Sequence, residues 1–217
     1  MTYSDPTQMM NRDETRFWDR VAPGYAKRPV ADQAAYEHKL ETTRSYLDPD
    51  MEVLEFGCGT GTTALIHAPY VKHILAFDFS AQMIAIAEEK AHSKRVENVT
   101  FVQNRIEDFD PPANRYDVVL AMSILHLLKD PQAAIAKSFE MLKPGGTFHS
   151  STVCLREGMI WLKPIAAVGR ALGLLPHVLF LNSADLERML RDAGFEIEKF
   201  WKPDRKKAAF IIARKPM

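Results

Sequence analysis

Between Met51 and Thr62 the chain reads Met-Glu-Val-Leu-Glu-Phe-Gly-Cys-Gly-Thr-Gly-Thr, and few folds can use such a stretch. Val53, Leu54 and Phe56 have the apolar character of a short parallel strand buried in a sheet. Glycines at alternate positions then turn the chain sharply into a helix expected to begin near Thr62. Lacking β-carbons, the turn lets backbone approach a ligand closely, and the helix start offers unpaired N–H groups. Dinucleotide and phosphate sites are built in the same way. Here the last strand residues include a carboxylate, Glu55, and no Lys-Ser/Thr pair follows, which disfavours a phosphate loop. An acid beside the glycines suits an amine-bearing or cationic ligand better than a pyrophosphate.

At 217 residues the chain is expected to form one α/β domain with a sizeable core. Acidic and basic residues balance at 28 each, and no basic tract stands out, which argues against a nucleic-acid partner. Two cysteines, Cys58 and Cys154, make no disulfide framework, so a reducing cytoplasm is the simpler expectation. The N-terminus has no secretory apolar region, and no long apolar span follows. The histidines are scattered without metal-ligand spacing, so no metal is expected.

Taken in order, residues 1–10 are expected to be loosely attached, and Phe17, Trp18, Val21 and Tyr25 suggest an amphipathic helix ending before Gly24. Residues 34–46 read as a second helix with Tyr36, Leu40 and Thr43 on one side. Residues 71–77 read as the second strand, followed by Asp78-Phe79-Ser80. A carboxylate after the second strand is placed to accept the hydroxyls of a ribose. The alternative is a helix cap, but Ser80 is the better cap and leaves Asp78 free. Residues 99–102 form the third strand and 116–122 the fourth, whose near-continuous apolar run makes it central. Its continuation carries His126, whose imidazole could take a proton from an acceptor or simply hydrogen-bond the loop.

These features together resemble the class I S-adenosylmethionine-dependent methyltransferases, and closely the branch of ubiquinone/menaquinone-type and other small-molecule enzymes. Glu-Phe-Gly-Cys-Gly-Thr-Gly is similar to that family's first motif. The Leu142-Lys-Pro-Gly-Gly146 turn and the helix-to-strand junction ending in Ala193-Gly-Phe195 resemble its later ones. The resemblance runs from near the chain start to its end. It implies a seven-stranded, mostly parallel Rossmann-like sheet flanked by helices, with its last strand antiparallel and a helical cover inserted after strand five. Within one domain, 1–217, it implies an N-terminal lid and helices over 1–46 and a cofactor-binding core over 51–153. An apolar insertion over 154–182 and a C-terminal helix with antiparallel strands over 183–217 complete it.

The implied cofactor is S-adenosyl-L-methionine, with S-adenosyl-L-homocysteine as product. Glu55, Gly57, Cys58, Gly59, Thr60 and Gly61 would hold its methionine end, and Asp78 with Phe79 its ribose. Met83, Asn104, Arg105, Ile106 and Glu107 would surround adenine, although an arginine cannot accept a bond from the adenine amine. Ala121 and Met122 would border the sulfonium. Tyr25, in the lid, and His126 are the residues expected nearest the chemistry. Residues 155–181 are rich in apolar side chains, which implies a small, hydrophobic or aromatic acceptor beneath them. Contact of this stretch with a membrane surface or a partner, and plain packing, stay open, as do methylation of a membrane lipid and a peripheral-membrane location. A nicotinamide-dependent oxidoreductase and a non-catalytic cofactor-binding protein are the rival classes.

Overall fold

The computed structural model describes residues 6–110 and 112–217, with side chains described from Glu14 onward. Helices α1 (Pro6–Ala26) and α2 (Gln33–Arg44) precede the sheet. There follow β1 (Glu52–Phe56), α3 (Thr62–His67), β2 (His73–Asp78), α4 (Ala81–Lys94), β3 (Val99–Gln103), β4 (Tyr116–Met122) and α5 (Pro131–Met141). The chain then forms β5 (Leu142–Val153), α6 (Lys163–Ala171), α7 (Ser183–Asp192), β6 (Glu196–Trp201) and β7 (Ala208–Arg214). The strands make one sheet in the order β3-β2-β1-β4-β5-β7-β6, parallel except for β7, which runs antiparallel to both neighbours.

Side chains alternate between the two faces of each strand, and the core divides accordingly. Val53, Val118 and Leu120 pack with Ala64, Leu65, Ile84 and Ala87 of α3 and α4. Leu54, Phe56, Val119 and Ala121 pack instead with Ile135 of α5 and Leu186 and Leu190 of α7. Glu55, two residues after Val53, therefore points to the α3 face although it is an acid. Strand order reverses between β1 and β4, and crevices open at the carboxyl ends of strands where such a reversal occurs.

Several boundaries differ from the sequence reading for identifiable reasons. Helix α1 continues through Pro23 and Gly24 to Ala26, and residues 6–10, expected to be loose, belong to it; residues 1–5 lie outside the described residues. Tertiary contacts outweigh the local penalty, since Asp19 receives hydrogen bonds from Ser80 Oγ at 2.6 Å and from the Gln82 N–H at 3.2 Å. That places a carboxylate at the positive end of α4. Arg20 donates to the Gly173 carbonyl and Arg105 to Thr15 Oγ1, each at 3.0 Å. Helix α5 ends at Met141. Leu142-Lys-Pro-Gly-Gly forms the irregular start of β5, where the register with β4 shifts between Tyr116 and Val118. Gly169 lies inside α6, and the turn falls at Gly173, φ +68°. Helix α7 is capped by reciprocal bonds between Asn182 and Asp185.

Candidate active site

The turn after β1 brings three positive-φ glycines together. At Gly57 (φ +64°) an added β-carbon would sit 2.4 Å from Ile124 Cγ1, so both backbone conformation and space demand glycine. Gly57→Ala is accordingly expected to destabilise the fold by about 2 kcal/mol or more. Thermal denaturation checks this, and an unchanged midpoint would refute the packing argument. Gly61 caps α3 and is crowded by Phe101 and Ala87, so it builds the turn from behind and does not reach the cavity.

Asp78 ends β2 beside this turn. One of its oxygens accepts from the Gly59 N–H at 3.0 Å and the other from the Ser80 N–H at 2.9 Å. Ser80 caps α4 through Met83 N–H as expected, but Asp78 is less free than the sequence suggested, because it also pins the glycine turn. Each carboxylate oxygen retains a lone pair for a second donor. Burial pushes the Asp78 carboxyl up, while those two N–H groups and the Arg105 guanidinium pull it down.

Glu55 is the stranger group. It is 1% exposed, and burial raises its pKa to about 8, against the pull of the Ala64 N–H and with a further upward push from Asp78. Its Oε2 has no hydrogen-bond partner. A buried carboxyl with an unsatisfied oxygen on a cavity wall suits a ligand cation such as an ammonium, which would both pair with it and ionise it. Cys58, beside it, is held as a neutral thiol by burial and by the neighbouring carboxylates.

One cavity of about 980 Å³ joins these groups. Of the residues expected from the sequence, Tyr25, Glu55, Gly57, Cys58, Gly59, Thr60, Asp78, Phe79, Met83, Asn104, Arg105, Ile106, Glu107 and Met122 all line it. The ring of Tyr25 lies over the glycine turn, 3.8 Å from where a β-carbon on Gly59 would be. It stands edge-on to Trp18, and its hydroxyl pKa is raised by burial and by Asp78. Arg105 stacks on the Phe79 ring with its guanidinium 4.5 Å from the centroid while bonding Thr15, so it fastens α1 to this wall of the cavity. The carbonyls of Ile106 and Glu107 both accept from Lys137 Nζ at 3.0 Å, which fixes that loop.

Three expected site residues are not on the wall. Gly61 is one, and Ala121 is another, its methyl turned into the α5 core. His126 is the third. The turn Leu125–Leu127 is a 3₁₀ helix, which places residues three apart on one side. Ile124 and Leu127 therefore face the cavity, and His126 does not. Burial lowers its imidazole to about 4, its Nδ1 has no partner, and its carbonyl accepts from Leu179 N–H at 2.7 Å. It holds the 3₁₀ turn to the following segment and is poorly suited to take a proton at neutral pH.

The structure adds wall residues that the sequence reading did not assign to the site. Tyr36, Lys39, Leu40 and Thr43 line the cavity from α2, Ser151 from β5 and Trp201 from β6. From the stretch read as an acceptor cover, only Pro176 and His177 reach it. Trp161, Ile165, Val168 and Leu172 of α6 and its approach point outward and are more than half exposed. Among the described residues no helix is long and apolar enough to cross a membrane.

A mostly parallel sheet of this strand order, with a glycine turn and two buried acids at its switch point, is that of the class I S-adenosylmethionine-dependent methyltransferases. Comparison with known proteins agrees. The profile described as "Methyltransferase domain" matches residues 30–199, and the chain belongs to that family. An uncharacterized methyltransferase, YcgJ, of Bacillus subtilis is 33% identical over 96 residues, which are 44% of this chain and only 38% of that protein. A ubiquinone biosynthesis O-methyltransferase of Xanthomonas axonopodis pv. citri is 28% identical over 84% of this chain and 77% of its own length. The crystal structure of the [4+2]-cyclase SpnF superposes with a TM-score of 0.73 at 22% identity, covering 88% of this chain and 84% of that one. That last likeness concerns the fold.

Proposed function

We propose that the chain methylates an oxygen of a small, partly apolar ring acceptor of the quinone-precursor kind. The observation that carries this reading is the continuity of the cavity. The carboxyl groups of Glu55 and Asp78, the Met122 side chain and the apolar side chains of Leu40, Ile124, Leu127, Leu128, Pro176 and Trp201 all line the same cavity. Its volume lies at the upper end of small-molecule sites, ~300–1,000 Å³, so cofactor and acceptor fit together. The ubiquinone-pathway O-methyltransferase among the relatives supports oxygen as the acceptor atom and the quinone-type branch within the family.

Glu55 would pair with the ligand ammonium, Asp78 would accept from the ribose hydroxyls, and Phe79, Met83 and Ile106 would flank adenine. Bound there, S-adenosylmethionine supplies an electrophilic methyl group for direct in-line displacement. The chain's own contribution is alignment and exclusion of water, with Trp18 and Tyr25 closing the lid side and the apolar wall holding the acceptor. Incubation with methyl-labelled S-adenosylmethionine and a panel of catechols, simple phenols, amines and thiols tests this. Label is expected in ring hydroxyls and not in amines or thiols. Transfer to amines alone, or to nothing in a preparation that binds S-adenosylhomocysteine, would overturn the acceptor reading.

A further inference from the structure

Helix α2 presents Tyr36, Lys39, Leu40 and Thr43 to the cavity at helical spacing. Lys39 is the unusual member. Its ammonium is half-buried and donates to Ser151 Oγ at 3.2 Å, a contact bridging 112 residues of sequence. Among the described residues no carboxylate lies within ion-pair distance of it. The acid that bears on it electrostatically is Asp32. That carboxylate is already engaged by Lys207 Nζ at 2.7 Å and by the Ala35 N–H at 3.0 Å. Burial accordingly depresses the Lys39 pKa. A partly desolvated cation that, among the described residues, hydrogen-bonds only a hydroxyl and meets its nearest acid only at long range has spare donors.

Its position gives the charge a purpose. Ser151 lies toward the carboxyl end of β5, directly paired with Met122 at the tip of β4, and the Ser123 N–H donates to the Ser151 carbonyl at 2.7 Å. Lys39 therefore reaches over the carboxyl ends of β4 and β5 and lines the same cavity as Glu55 and Asp78. Tyr36 on the same helix face and Trp201, which packs on His38 with centroids 4.3 Å apart, bring aromatic surface to the same wall.

We propose that Lys39, backed by Ser151, is the acceptor-binding cation of this site and that the acceptor carries an oxyanion, either an ionised ring hydroxyl or a ring carboxylate. The inference rests on the methyl-transfer reading and narrows its acceptor class: a neutral hydrocarbon-like molecule would leave this charge buried and unanswered. For a ring hydroxyl, the ammonium would favour the ionised form, so a dedicated base is not needed. The proton has left to solvent before methyl transfer. The methyl carbon then forms its bond to oxygen as its bond to sulfur breaks, and that electron pair stays on sulfur.

The test uses the full chain with and without saturating S-adenosylhomocysteine. It measures binding of two matched pairs, 4-nitrophenolate against nitrobenzene and benzoate against benzamide. Wild type is expected to prefer at least one oxyanion over its neutral partner by about tenfold, the worth of one charge-assisted hydrogen bond. Lys39→Met should abolish the preference while S-adenosylhomocysteine still binds, and Lys39→Arg should keep most of it. Preference for the phenolate assigns Lys39 to the ring hydroxyl, and preference for benzoate to a carboxylate; both uphold the proposal. Equal binding of charged and neutral probes, no binding of either oxyanion, or a preference that survives in Lys39→Met would overturn it. Failure of wild type to bind S-adenosylhomocysteine would sink the cofactor reading instead, and the probe comparison without that ligand would still decide the role of Lys39.

Discussion

Asp78→Ala is expected to weaken binding of S-adenosylhomocysteine by roughly 100-fold or more, because hydrogen bonds to a charged acceptor are worth about 1.5–3 kcal/mol each and two ribose hydroxyls would lose theirs. The loss has a second source within the protein. The carboxylate holds the Gly59 and Ser80 N–H groups, one on each oxygen, so its removal also slackens the turn that would carry the methionine end of the ligand. Asp78→Asn separates the two contributions: it retains one acceptor oxygen and is expected to lose less than the alanine variant. Titration calorimetry with circular dichroism as the control for folding measures both. A folded Asp78→Ala protein with undiminished affinity would remove the ribose assignment and with it the orientation of the ligand in the cavity.

The placing of Asp78 beside the glycine turn was within reach of the sequence because the chain signals it locally. A glycine turn after an apolar strand, and an acid at the end of the next strand, have meaning at short range, and β4 fell where the apolar run placed it, Tyr116–Met122. The misreadings share a different origin. Pro23 and Gly24 are strong local stop signals, yet α1 passes them because Asp19, Arg20 and Thr15 are fastened to other parts of the molecule. His126 attracted attention by its chemistry, whereas its direction depends on a 3₁₀ turn that apolar spacing does not reveal. Lys39 went unremarked for the opposite reason. One lysine in an exposed-looking helix reads as a solvated charge, and only the approach of β5, 112 residues away, shows that it faces inward. A possible signal was present in β5 itself, where Thr147, His149, Ser150, Ser151 and Thr152 are polar in a strand that proves buried. Such a run in a central strand points to polar work on at least one of its faces.

Glu55 allows a prediction of sign as well as size. Its carboxyl is raised from an ordinary 4.5 to about 8 in the ligand-free protein, so it is largely protonated at pH 7. Pairing with the ligand ammonium would restore its charge, and S-adenosylhomocysteine binding at pH 7 is therefore expected to release close to one proton. Calorimetry in two buffers of different ionisation enthalpy reads this directly, and affinity should rise by up to about tenfold per pH unit between pH 6 and 8. The nearby imidazoles do not mimic the effect: His67, His126 and His149 are depressed to about 4, 4 and 3 by burial and stay neutral throughout that window. The same shift acts on stability in the opposite sense. Because the folded carboxyl holds its proton more tightly than the unfolded one, the ligand-free protein loses stability as pH rises from about 4.5 to about 8, by an amount on the order of 5 kcal/mol at most. Glu55→Gln lacks this titration, so its melting temperature should gain on wild type across that interval and hold its advantage above it. The variant should also bind S-adenosylhomocysteine roughly 100-fold more weakly at pH 8, release no proton, and show no pH slope. A wild-type heat of binding that is independent of buffer, or a glutamine variant that binds as tightly as wild type at pH 8, would mean that the unpaired oxygen of Glu55 meets no cation.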